Sequence, residues 1–406
     1  MAQVKPLSGI LCIETASWHA GPVAGYMLGD LGASVVKIEP LTGDPMRGLQ
    51  NYMGLPTALE GDSNPQHELA NRSKRSIALN LKDPEGRALL HKMLDKADVY
   101  LTNMRPSGEA KLELDAHTLL ERNPRLVIGR VTGYGSSGPV SDSRAFDTLA
   151  LARSGIMLAI GEPSAKPQFL PFGIADQLTG TMLTSGVITA LYAREKTGKG
   201  QVVEVSLYGT VLHALGIPLM VSLLTGQDIP QLDQRKMMNP LMGCYQCADN
   251  EWLLLSENSP DKLWPAFCHV LGLAGIQNDA RFATMAARAQ HREDLIALLQ
   301  RTFSCRPRDE WIDALLRERI ACAPIQRIKD AGADPQAIAN NYVIDFEHPT
   351  LGKTKMLGYP LNLSATPAEI AGPAPTHGQH TEEVLLELCG CTWDDIERLR
   401  ARGIIV

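Results

Sequence analysis

Short β-rich runs alternate with helical stretches through roughly the first half of the chain, a pattern that predicts an α/β sheet. Gly9 to Thr15 reads as a strand. Gly21 to Leu31 reads as a helix with Pro22 in its first turn, where a missing N–H costs nothing. Ser34 to Glu39 and Ser76 to Leu81 are further strands, and Pro84 to Ala97 is a helix. Asp98 to Thr102 and Leu126 to Thr132 continue the series. Met182 to Lys196 is a strongly apolar helix closed by the basic turn Lys196 to Gly200, and Val202 to Leu207 is a buried strand. A single long apolar helix is expected from Tyr208 to Leu224.

Beyond that helix the pattern changes. Gly226 to Met242 has mixed polarity and two prolines, as a linker does. One β-like run, Trp252 to Ser256, precedes amphipathic helices such as Arg292 to Thr302 and Arg308 to Arg319. A Pro- and Gly-rich extended stretch, His348 to Pro375, leads to closing helices at Thr381 to Leu388 and Trp393 to Arg402. The expected layout is a large domain over residues 1–225, a linker at 226–243, a small α+β domain at 244–328, and a return linker with the rest of the large domain at 329–406.

A length of 406 residues agrees with more than one core. The net charge of −6 removes nucleic acid as a partner, since that needs a basic footprint. No apolar run is long enough to span a membrane and no signal peptide is visible, so a soluble, cytoplasmic protein is expected. The eight cysteines include the close pairs Cys244/Cys247 and Cys389/Cys391 but complete no zinc spacing. No metal site and no tightly bound cofactor are expected; free thiols in a reducing compartment are.

The first strand–helix turn, Ser17-Trp18-His19-Ala20-Gly21-Pro22, lacks the G-x-G-x-x-G fingerprint of a dinucleotide fold. It is still the start of a helix, which suits an anion or polar ligand. Asn71-Arg72-Ser73-Lys74-Arg75 packs three cations into five residues, either a solvated charge run or an attraction for polyphosphate. Lys82, Asn103, Arg105 and Lys111 add cations and polar groups just past predicted strands, where open α/β sheets bind ligands. Gly133 to Pro139 is a flexible loop by composition, too poor in cations for a phosphate loop. Asp176, in Gly173-Ile174-Ala175-Asp176-Gln177, suits two roles: a helix N-cap, or a rigidly held, partly desolvated nucleophile. Spacing alone does not choose between them.

Taken in order along the chain, these segments resemble the family III CoA-transferases, which include formyl-CoA transferase and the carnitine and bile-acid CoA-transferases. The resemblance is carried by Pro6 to Ile10, Ala20-Gly21-Pro22, Leu28 to Ala33 and Lys37-Ile38-Glu39. It continues through Lys74 to Ile77, Leu79 to Lys82, Asn103 with Arg105-Pro106, and Ala145-Phe146-Asp147. Ser154-Gly155, Lys196 to Gln201, His348 to Gly352 and Gly378 to Thr381 complete it. No single piece is specific; the ordered set is.

The resemblance implies a Rossmann-like large domain made from both chain ends, a smaller α+β domain, and an interlocked homodimer. It implies transfer of CoA from an acyl-CoA to a small carboxylic acid, with Asp176 as the acyl-carrying nucleophile. By the same resemblance, His19 and Ala20 lie near the thioester, while Leu79, Asn80 and Lys82 touch the nucleotide. Asn103, Met104 and Arg105 form the next binding loop, Lys111 sits at a phosphate position, and Arg144, Phe146 and Asp147 line the pocket. Pro40 departs from formyl-CoA transferase, which has an adenine-stacking arginine there, and the polyglycine segment of that enzyme is missing. Two other readings stand beside the transferase. An α-methylacyl-CoA racemase needs a second acid–base group, but the position of its histidine is Phe146. A non-catalytic acyl-CoA-binding protein needs no nucleophile at Asp176.

Overall fold

A computed structural model describes residues 4–60, 63–163, 165–258 and 260–406. The chain packs as two compact units. The larger comprises Met1–Met157, Phe169–Gln227 and Ile338–Val406; the smaller comprises Leu158–Gln168 and Asp228–Ala337.

The larger unit is built on a six-stranded sheet of β1 (Leu11–Glu14), β2 (Ser34–Glu39), β3 (Lys74–Ala78), β4 (Val99–Thr102), β5 (Val127–Thr132) and β6 (Val202–Ser206). Their order across the sheet is β3-β2-β1-β4-β5-β6, and every neighbouring pair is parallel. The strands from β1 to β5 are largely buried on both faces, as a parallel sheet covered by helices requires. Strand β6, expected from its apolar sequence to be buried, is an edge strand that is exposed or half-exposed along its length. Chain order runs one way from β1 and then the other, so the sheet reverses between β1 and β4. Ligands of open α/β sheets sit at such a reversal, beyond the carboxyl ends of the strands.

One face of this sheet is covered by α1 (Ala20–Asp30) and by a 24-residue helix, α3 (Ile174–Thr197); α2 (Asp147–Ser154) lies before it in the chain. The core on the other face is completed by the chain's end. Val384, Leu385, Ile396, Leu399 and Ile404 pack with Ile77, Leu90 and Tyr100. Main-chain bonds from Asn80 to Ile404 and from Ala78 to the Thr381 hydroxyl fasten the same segment.

Several elements differ from their sequence patterns. Helix α3 begins eight residues before Met182, because a cap supplied from elsewhere in the fold starts it within a polar stretch. The single helix expected over Tyr208 to Leu224 is two, α4 (Leu207–Ala214) and α5 (Gly216–Thr225), bent by 81°. Gly216 and Pro218 account for the break: proline cannot donate to the carbonyl one turn back. No single helix among the described residues is long and apolar enough to cross a membrane. The His348 to Pro375 stretch opens on the second strand of a hairpin, Val343–His348 with Gly352–Leu357.

The smaller unit holds a three-stranded antiparallel sheet, Cys322–Ile325 beside Trp252–Ser256 beside Met242–Gln246. Only the central strand was legible from periodicity. Pro324 masks the first, and it is tolerated because that strand is an edge. Tyr245, Trp264, Phe267, Phe303 and Trp311 join leucines such as Leu253, Leu255, Leu295 and Leu299 in this unit's core.

Candidate active site

The turn after β1 is held from below by buried charge. Lys74 donates to both Glu14 carboxylate oxygens (2.9 and 2.8 Å) and to the Pro22 carbonyl (2.9 Å). Lys37 reaches Glu14 (3.2 Å), Asp44 (2.9 Å) and the Ala16 carbonyl (2.9 Å). These ammoniums are worth their desolvation only because each meets carboxylates and carbonyls together. From above, Asn103 grips the turn: its amide donates to the Ser17 carbonyl (2.7 Å) and its oxygen accepts from the Ser17 N–H (3.0 Å). That pair spans the reversal between β1 and β4. Trp18 is thereby fixed at φ +66, a left-handed value rare for a bulky residue, with its N–H on Asp44 (3.3 Å).

Helix α1 begins immediately after, with His19 as N-cap and no side-chain cap. Gly21 allows the turn to close, since a Cβ there would run into that of Ala16. His19 lies beside the start of α3: a Cβ on Gly173 would stand 3.9 Å from its ring. Its imidazole is pushed down to about 4 by burial, partly offset by the Gln177 side chain, so it is neutral at physiological pH. Gln177 in turn donates to the Tyr26 hydroxyl (2.8 Å).

The start of α3 decides between the two readings of Asp176. Gly173, at φ +93, is the N-cap, and Asp176 lies three residues further, inside the first turn. The capping is done by Asp147, whose Oδ1 accepts from the Ala175 N–H (2.7 Å) and the Asp176 N–H (3.2 Å). Asp176 is therefore not the cap. Its carboxyl is pushed up to about 7, first by burial and then by the Asp147 carboxylate. The other Asp147 oxygen is buried without a hydrogen-bond partner. Two carboxylates thus stand at one helix end, and the cap takes the N–H groups that would otherwise hold Asp176 ionised.

The remaining residues singled out by the sequence divide by environment. Asp147 is buried beside Asp176, Ala20 is buried at the start of α1 against Gly180, and His19 is half-buried beside Gly173. Phe146 is 56% exposed at the start of α2. Asn103 spends its carboxamide on the Ser17 turn and so positions that turn. Met104 packs partly against the core. Leu79 is core, 1% exposed, its N–H on the Glu39 carbonyl, which leaves its side chain no access to a ligand. Asn80 follows it and accepts from the Lys82 N–H (3.1 Å). Lys82, Arg105, Lys111 and Arg144 are exposed on segments that follow β3, β4 and β5.

The cation run Arg72, Lys74, Arg75 is not a polyphosphate site. Arg72 is buried on Asp30 (2.8 Å) and the Leu357 carbonyl (2.5 Å), and Lys74 serves Glu14. Arg75 pairs with Glu383 (2.9 Å) and Glu387 (2.6 Å). All three neutralise carboxylates brought up by distant segments, which their spacing alone could not reveal.

Two residues of the site carried no sequence signal. Gln177 lies next to Asp176 but acts on His19 and Tyr26. Tyr52 comes from a two-residue ribbon, and its hydroxyl donates to the Phe172 carbonyl (2.7 Å) with the rings edge-on at 6.3 Å.

Comparison with known proteins bears on this arrangement. The family model described as CoA-transferase family III matches residues 7–381. The chain is 32% identical to (R)-2-hydroxy-4-methylpentanoate CoA-transferase of Clostridioides difficile, over 94% of this chain and 95% of that protein. It is 31% identical to succinyl-CoA–D-citramalate CoA-transferase of Chloroflexus aurantiacus, over 99% and 98%. The crystal structure of a CAIB/BAIF family protein from Brucella suis superposes with a TM-score of 0.86 at 29% identity, covering 95% of this chain and 100% of that one.

Proposed function

The chain belongs to CoA-transferase family III and is a CoA-transferase, and from that premise we propose that it works through a covalent adduct on Asp176. One observation carries the proposal. Asp147 caps the helix, so the Asp176 carboxyl is released from a structural task, and burial first, then the Asp147 charge, raise it to about 7. A carboxylate so desolvated gains nucleophilic strength once ionised.

In the proposed sequence, an Asp176 oxygen attacks the thioester carbonyl carbon, the C–S bond breaks, and CoA leaves as a thiolate. The product is a mixed anhydride. The thiolate then attacks the aspartyl carbonyl, forming an aspartyl-CoA thioester and releasing the donor acid as its carboxylate. The acceptor carboxylate attacks that thioester, CoA leaves again, and its return to the acyl carbon frees Asp176. Charge is conserved at every step and no redox partner is needed. The uncapped start of α1, beside Gly173, supports a role for the Ala20 and Gly21 N–H groups in stabilising the tetrahedral oxyanions. A racemase reading lacks support, because Phe146 offers no proton acceptor.

Lys82, Lys111 and Arg144, with Asn80 and Arg105, are the proposed holders of the CoA phosphates and ribose. The acting form is proposed to be an interlocked homodimer in the cytoplasm, with the larger unit, Met1–Met157, Phe169–Gln227 and Ile338–Val406, as the CoA-binding domain. The relatives above differ in the acids they are named for, so family membership leaves the acid open.

Hydroxylamine trapping tests the mechanism. Enzyme given an acyl-CoA without an acceptor should yield a hydroxamate on the peptide spanning Gly173 to Gly180, read by mass spectrometry. Asp176→Asn and Asp176→Ala should lose both label and turnover. An Asp176→Ala protein retaining more than about a hundredth of wild-type turnover would remove Asp176 from the mechanism.

A further inference from the structure

Exposed aromatic residues adjoin the cap and the N-cap of the helix that carries Asp176. The larger unit contains four phenylalanines, and none lies in its core: Phe146, Phe169 and Phe172 are exposed and Phe346 is half-buried. The smaller unit, by contrast, buries Phe267, Phe282 and Phe303. Phe146 immediately precedes Asp147, the cap of the nucleophile helix, and Phe172 immediately precedes its N-cap, Gly173. Trp18, 45% exposed, precedes His19 and is held in a left-handed conformation that a buried side chain's packing does not explain. Tyr52 braces Phe172 by its hydroxyl and by edge-on ring contact, and it lies close enough to Asp147 to feel that carboxylate.

Beside burial, the charge that raises the Asp176 carboxyl is that of Asp147, a second anion. Neighbouring cations are occupied: Lys37 and Lys74 by Glu14 and Asp44, Arg47 by Glu39 (2.6 Å), and Arg153 over the Tyr134 and Tyr208 rings. Arg144, two residues before Phe146, is exposed. A remote carboxylate on the acyl chain would face two aspartates here, whereas an apolar tail would cover rings now open to water.

We propose that the acids exchanged at this site carry one carboxyl and a bulky aryl or branched-alkyl tail, which packs against Trp18, Phe146 and Phe172. This specificity rests on the reading of Asp176 as the acyl-carrying nucleophile. Dicarboxylic acids are the poorer substrates.

Hydroxylamine capture on the full-length protein tests it with donors alone: 3-phenylpropionyl-CoA, 4-methylpentanoyl-CoA, propionyl-CoA and glutaryl-CoA. The first two should give kcat/KM for hydroxamate formation about tenfold or more above the last two, in the range that differential pocket contacts supply. Phe172→Ala should lower the ratio of phenylpropionyl to propionyl turnover about tenfold, and Phe172→Leu should restore part of it. Glutaryl-CoA as the best donor, above all if Arg144→Ala abolishes that preference, overturns the proposal while the Asp176 label leaves the nucleophile intact. So does a ratio unchanged in Phe172→Ala and Trp18→Ala alike. Absence of label on Asp176 from every donor sinks the nucleophile first, and this inference with it.

Discussion

Asp176 and Asp147 divide two tasks that either residue type could perform at a helix start. Asp147 gives one oxygen to the N–H groups of residues 175 and 176, and its charge then opposes ionisation of Asp176. Asp147→Asn keeps the acceptor oxygen and removes the charge. The rising limb of kcat/KM against pH should therefore move to lower pH with little loss of stability. Asp147→Ala loses the cap as well and should cost about 1 kcal/mol in denaturant unfolding. An unmoved limb in the Asn variant would show that Asp147 does not tune the nucleophile.

The same shift has a consequence for stability. Native Asp176 holds its proton to about pH 7, whereas the unfolded chain releases it near the ordinary value of 3.8. The native state binds more protons between those values, so stability falls as pH rises from roughly 4 to 7, and the whole penalty is present above 7. Asp176→Asn should accordingly melt higher than wild type at pH 8, with the difference closing toward pH 4. A constant difference across that range would contradict the raised value.

At the scale of elements, the site depends on how closely α1 and α3 approach. Gly180 makes that possible: a Cβ there would overlap the Val23 side chain and stand 2.7 Å from the Ala20 carbonyl. Both neighbours belong to the turn that carries His19, so Gly180 couples helix spacing to the geometry around Asp176. Gly180→Ala should destabilise the protein by about 1–3 kcal/mol, as overpacking does, and should lower kcat more than a surface glycine change that overpacks nothing. Gly275→Ala, in the smaller unit with open space around it, serves as that control. Equal kcat for the two variants would separate helix spacing from catalysis.

For the whole molecule, α5 is the segment that the single chain leaves unexplained. None of its residues is buried, and Ile217 and Leu224 are 81% and 78% exposed. A helix apolar all round belongs inside something, and a second copy of the chain is the proposed cover. Light scattering at micromolar concentration should give about twice 44.1 kDa. Ile217→Glu with Leu224→Lys should lower that mass or drive precipitation. A stable monomer of the unmodified chain would count against the homodimer.

The alternation of strand and helix patterns, the family and the identity of Asp176 as a candidate were all legible in the sequence, because each rests on residues close together or on an ordered series of short segments. Ser34–Glu39 and Trp252–Ser256 were read to the residue for the same reason: a strand buried on its own side chains announces itself. What Asp176 does at its helix was not legible. Its cap comes from a residue 29 positions earlier, and the carboxyl's burial comes from the fold around both. Nor could spacing separate the spent cations Arg72, Lys74 and Arg75 from exposed Lys82, since the carboxylates that occupy them arrive from residues 14, 30, 383 and 387. Local periodicity records which residues want burial or turns; only the tertiary structure decides which buried charge finds a partner, and Asp176 is left with another carboxylate instead.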